Sequence, residues 1–150
     1  MARTIALATL TAGALDILFA IVLTLLYGRD PAGMLRYVAS GPFPQATDMG
    51  AAGSALGLLT HFTLMAIMAT LFVFAARQWP SLLDKPIQSG IIYGLITYVA
   101  MNWIVVPLRF DTPLPPKPLS IATQLFAHII LVGIPIALIA ARHLRARVFA

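Results

Sequence analysis

Each of four long apolar runs of this chain carries one notable polar side chain: Asp16, His61, Asn102 and His128. An ionisable group near the centre of a bilayer costs on the order of 3 kcal/mol or more, so it faces the interior of a helix bundle and reads first as functional. Two neutral imidazoles at one level of a four-helix bundle can act as the axial pair of a b-type haem, with nearby glycines giving room for the macrocycle and Arg109 within reach of a propionate. His61, His128 and Asp16 also form a two-nitrogen, one-oxygen set that suits Zn²⁺ or another divalent metal such as non-haem iron, Asn102 or a water completing it. No local ligand motif of the HExxH kind accompanies that set. The same residues suit a proton relay, since an imidazole accepts the proton of a neighbouring carboxyl group. The rival explanation is interhelical hydrogen bonding alone, worth about 0.6 kcal/mol per bond in a bilayer. The candidate haem or metal ligands are therefore His61, His128 and Asp16, with Asn102, Tyr98, Gln124 and Arg109 in support and no catalytic set.

Depth and facing join these residues. At 1.5 Å per residue, Asp16 lies about 18 Å into its run, and His61 and His128 about 16 and 14 Å into theirs from the opposite boundary. All three share a level, and Asn102 sits about one turn nearer that boundary. Gly53, Gly57 and His61 repeat every four residues, as do Gly90, Gly94, Tyr98 and Asn102, so each polar residue continues a small-residue helix face of the kind that lets another helix approach. Thr9, Gly13 and Ala20 surround Asp16 in the same way, and Gln124 stands one turn from His128. Pro135 cannot donate to the Leu131 carbonyl, which leaves an acceptor one turn from His128.

The elements that must position these groups are legible from composition. Hydrophobic residues make up 60% of the 150 positions and charged residues 10%, too few to cover a water-facing surface. Four apolar runs, at about 4–27, 50–76, 87–107 and 119–141, each reach the roughly 20 residues needed to cross a hydrocarbon core as a helix. The fold class is all-α: a polytopic four-transmembrane-helix bundle forming a single domain over 1–150. None of the connections could house a soluble domain or enclose a substrate away from water, which weighs against an enzyme. The first holds Met34 to Ser40 between Pro31 and Gly41-Pro42, suited to one or two helical turns on the membrane surface. The third, Asp111 to Pro118, is proline-dense and extended. The methionines, among them Met65 and Met68, read as core filler.

Glutamate and cysteine are absent, so disulfides and thiolate sites are excluded. The net charge of +5 is dispersed at the ends of apolar runs, the pattern of membrane topology and not of nucleic-acid binding. Arg3, Arg77, Lys85, Arg142, Arg145 and Arg147 fall on one side of the membrane and Arg29, Arg36, Arg109 and Lys117 on the other; this excess places both termini in the cytoplasm. The basic tail from Arg142 to Arg147 meets anionic headgroups, and the bilayer is the expected partner, alone or within a homo-oligomer or larger membrane complex.

His61-Phe62, Tyr93-Gly94, Met101-Asn102, Val106-Pro107-Leu108, and His128 followed by Val132-Gly-Ile-Pro-Ile-Ala-Leu138 resemble a group of short, four-span bacterial inner-membrane proteins of unassigned function. The resemblance covers nearly the whole chain. It implies the four-helix topology and a bacterial inner-membrane location, and it carries over no functional residue.

Overall fold

The computed structural model describes residues 1–145. Five helices account for most of them, and no β-strand occurs among the described residues. Four are long and apolar enough to cross a membrane: α1 (Ala2–Leu26), α3 (Gly50–Gln78), α4 (Pro86–Phe110) and α5 (Pro118–Arg145). The short α2 (Pro31–Ser40) lies between α1 and α3 in sequence. The chain is thus a multi-pass membrane protein, and the side of the bundle carrying α2 is opposite the side carrying the termini. Arg147 of the basic tail lies outside the described residues.

Local chemistry sets the helix ends. Asp30 caps α2, accepting from the Ala32 N–H at 3.0 Å and the Gly33 N–H at 2.8 Å, and Pro31 supplies a fixed φ at the first helical position. Pro86 and Pro118 open α4 and α5 in the same way. The segment from Asp111 to Lys117 carries no regular structure, as its prolines require.

The bundle packs in the order α3, α1, α5, α4, with α4 closing back onto α3 where the Tyr93 hydroxyl donates to the Met68 carbonyl at 2.6 Å and its ring meets Phe72 edge-on. α5 is the most enclosed helix, 44% of its most apolar stretch being buried, against 17% for α4, so α5 is the central element. Lipid tails are as apolar as leucine, so the helices gain nothing from hiding apolar area from one another. Close packing must hold them instead. The core accordingly mixes alanines (Ala8, Ala12, Ala69, Ala137, Ala140) with Met65, Phe72, Val73, Val132 and Ile136. All of these lie in the half of the bundle nearer the termini. Leu26 and Leu108, 76% and 84% exposed, show that the outward faces are built for lipid.

The one or two turns expected between Pro31 and Gly41 form the ten-residue α2, which is packed along the first turns of α3 and also touches α1. Gly57 and Gly53 make this possible: a side chain on either would overlap backbone, Leu35 in one case and Ala46 in the other. At the far end of α2, Arg109 donates to the Gly41 carbonyl and, at 2.7 Å, to the Ser40 carbonyl, while Phe110 stacks on Tyr37 with ring centroids 4.5 Å apart. α2 therefore bridges α3 and the end of α4.

Candidate functional site

The two buried histidines sit in different chemical surroundings. His61, 7% exposed, continues the Gly53 and Gly57 face of α3 and reaches α1, where its Nε2 lies 2.9 Å from the Gly13 carbonyl. A carbonyl oxygen only accepts, so Nε2 carries the hydrogen. The remaining nitrogen, Nδ1, faces the Asp16 carboxylate at 3.9 Å. With the imidazole neutral, Nδ1 is a bare acceptor; protonated, it pairs with a carboxylate. At 3.9 Å the two atoms are beyond a hydrogen bond, and a small side-chain rotation or one water closes the gap. Among the described residues Asp16 makes no hydrogen bond and no other ion pair. The Phe62 ring stands edge-on beside His61, where a side chain on Gly13 would project, and the Asp16 side chain stays 22% exposed.

His128 is satisfied on both sides. Thr97 donates its one hydroxyl hydrogen to the Gly94 carbonyl at 3.0 Å, so its oxygen must accept from His128 Nδ1–H at 3.1 Å. Nε2 then accepts from the Asn102 amide at 3.4 Å; the same amide nitrogen lies 3.4 Å from the Tyr98 carbonyl. The Tyr98 ring stands edge-on to the imidazole, and its hydroxyl accepts from the Trp103 indole N–H at 3.2 Å. This is a neutral, closed network between α4 and α5.

Local helix geometry produces that network. Residues Ala100–Val105 of α4 and Ala127–Gly133 of α5 are π-helical, with Val106 N–H reaching back five residues to Met101 and Ile134 N–H to Ile129. Each segment ends two residues before a proline, Pro107 or Pro135, whose missing N–H the wider turn accommodates. In an α-helix, residues five apart diverge by roughly 140°. The wider turn brings Trp103 over Tyr98. The interruption expected at Pro135 is therefore a shifted bonding pattern and not simply a vacant Leu131 carbonyl.

The expected meeting of Asp16, His61 and His128 is corrected by this arrangement. Asp16 and His61 come together between α1 and α3, whereas His128 is held by Thr97 and Asn102 of α4 and shares no hydrogen-bond partner with the pair. Among the described residues no group of three or more His, Asp or Glu side chains could hold a metal ion. A haem does not fit either, because the glycine faces are filled by backbone. A side chain on Gly94 would strike His128 and Ile129, and one on Gly133 would strike Gly90 and Gly94. Arg109 is turned to α2 and so offers nothing to a propionate, and Gln124 makes no hydrogen bond to His128. Of the supporting residues, Asn102 and Tyr98 do join His128.

Thr97, the Trp103 indole, the Phe62 ring and the Gly13 carbonyl are parts of these clusters to which the sequence assigned no role in a site. Thr97 could have been found from its place three residues beyond Gly94 on the face that α5 meets. Comparison of the chain with protein-family models, with curated proteins and with solved structures gave no significant match.

Proposed function

We propose that this membrane protein works through a proton-binding centre formed by Asp16 and His61, and that His128 is a structural lock between α4 and α5. One observation carries the reading: the Gly13 carbonyl fixes the His61 tautomer so that the uncommitted nitrogen faces a carboxylate with no other partner among the described residues. The pair then has two states of equal total charge, carboxylic acid with neutral imidazole and carboxylate with imidazolium, and gains or loses one proton around them. Such a centre couples a change of charge to the packing of α1 on α3. Catalysis is not part of the proposal. The lock assigned to His128 is favoured by its two filled nitrogens.

The excess of Lys and Arg on the termini side, together with the resemblance noted above, supports a bacterial inner membrane with cytoplasmic termini. Nitrogen-15 NMR of histidine-labelled protein in detergent tests the centre. His61 should show the Nε2–H tautomer and a titration step that Asp16→Asn moves, with His128 neutral throughout. A His61 signal that neither titrates nor responds to Asp16→Asn would overturn the proposal.

A further inference from the structure

We propose that the Asp16–His61 pair exchanges its proton with the aqueous phase on the α2 side of the membrane, and that the apolar half of the bundle isolates it from the side holding the termini. This inference rests on the proton-binding reading above and adds to it a direction.

The buried face of α3 displays the asymmetry. Reading inward from the α2 side, it presents Gly53, Gly57, His61 and Met65, one per turn. The turns on the α2 side of His61 are covered by backbone of Leu35 and Ala46, polar groups of a ten-residue helix and the short turn after it. On the other side come Met65, Met68, Ala69, Phe72, Val73 and Ala76, none more than 8% exposed. They pack with Ala8 and Ala12 of α1 and with Val132 through Ala140 of α5. From His61 to Ala76 this plug is about 22 Å deep at 1.5 Å per residue. Tyr93 borders it, and its hydroxyl hydrogen is committed to the Met68 carbonyl.

The two barriers differ in what crossing them requires. A charge entering this largely apolar core, in which Thr4 and Thr9 of α1 are buried polar groups, loses most of its hydration, a cost of several kcal/mol or more. A ten-residue helix is too short to be stable by itself, so α2 holds its place through its packing on α3, and a proton passing on that side meets backbone carbonyl and N–H groups that can bond to it or to water. The attachments of α2 are polar or made through backbone: the Asp30 cap, the Gly53 and Gly57 notches, the Ser54 hydroxyl bond to the Ala32 carbonyl, and the Arg109 bonds to Ser40 and Gly41, with the Tyr37–Phe110 stack beside them. The charged or titratable groups on the elements packed around the pair are Arg36 and Tyr37 on α2, with Asp30 at its cap, Asp48 at the end of the short turn after it, and His128 on α5. The remaining ones on α1, α3 and α5 lie at the helix ends on the termini side. Arg36 is held by Asp30 at 3.3 Å and by Ser54 at 3.5 Å, so it stands at the α2 entrance and not beside Asp16.

The absence of native cysteine allows a sided experiment. Full-length protein carrying Ser81→Cys, an exposed position on the termini side, is reconstituted in vesicles, and an impermeant thiol reagent reports its orientation. The carboxyl band of Asp16 is followed by infrared difference spectroscopy during a pH step on one side only. Carbon-13 labelling of aspartate identifies carboxyl bands without any substitution, and Asp16→Asn assigns the embedded one. The expected result is a full change of the Asp16 band on stepping the α2-side pH and none on stepping the termini-side pH. A band that follows the termini side, or both sides equally, overturns this inference and leaves the proton-binding centre standing. A band that follows neither side over the whole pH range overturns both.

Discussion

The Leu35 backbone occupies the space that a side chain on Gly57 would need, so α2 is seated in a notch of α3 one turn from His61. The neighbour is backbone and cannot swing aside. Gly57→Ala should therefore lift α2 at a cost of about 1 to 3 kcal/mol, the range for overpacking a tight contact. Hydrogen exchange of the amides of residues 32–40 should speed up while those of α5 stay protected. Unchanged protection of α2 would show that the notch does not hold it.

Thr97→Val keeps the shape of the side chain and removes the acceptor for His128 Nδ1–H. A buried donor left unpaired costs about 1 to 3 kcal/mol, and Thr97→Ser should recover most of that loss. Thermal unfolding in detergent is the measurement. The titration of His61 should be the same in both variants, because Thr97 bonds to α5 and not to the pair. A shifted His61 titration would instead join the two clusters.

Pro107→Ala restores an N–H that the α-helical pattern bonds to the Trp103 carbonyl. The π-helical turn should then relax and withdraw the Trp103 indole from the Tyr98 hydroxyl. Trp103 emission, read with Trp79→Phe to leave one indole, should move by an amount that Tyr98→Phe reproduces. Identical emission before and after Pro107→Ala would mean that the proline does not set the turn.

Asp30 gives α2 a pH dependence. The N–H groups of Gly33 and Ala32, and then Arg36, hold its carboxyl below the ordinary value of 3.8. Because the folded value is the lower one, the cap contributes fully above that ordinary value and is lost as pH falls through the folded value. Exchange protection of α2 should accordingly be flat from neutral pH down to about pH 4 and decline below it. Asn caps a helix about as well as Asp, so Asp30→Asn should preserve α2 at neutral pH and abolish the decline.

Lipid made the four spans legible, since a backbone in hydrocarbon has few options and each span is marked by its length. The approach of His61 to α1 was legible for a related reason: Gly53 and Gly57 identify the face that other backbone meets, and regular helix geometry carries that face on to His61. For His128 and Asn102 the regularity served only in part: they meet one another, but not the Asp16–His61 pair. Their segments are π-helical, so the turn is wider than the period used to place them. Inward facing did not make one pocket, because His128 is met by α4 while Asp16 and His61 meet between α1 and α3. α2 was foreseen as a short helix. Its seat on α3 was not, because Gly57 could equally have received a span.

The central place of α5 bears on how the chain is made. α4 has its broad contact with α5, meets α3 mainly through Tyr93 and is tied to α2 only at its end, by Arg109 and Phe110, so a nascent chain that has delivered α4 to the bilayer still lacks the helix on which most of α4 packs. Only when the last span leaves the ribosome do both sides find their common partner. Assembly of this protein is therefore a late event, and truncation within α5 should leave α4 adrift in the membrane for quality-control proteases to find.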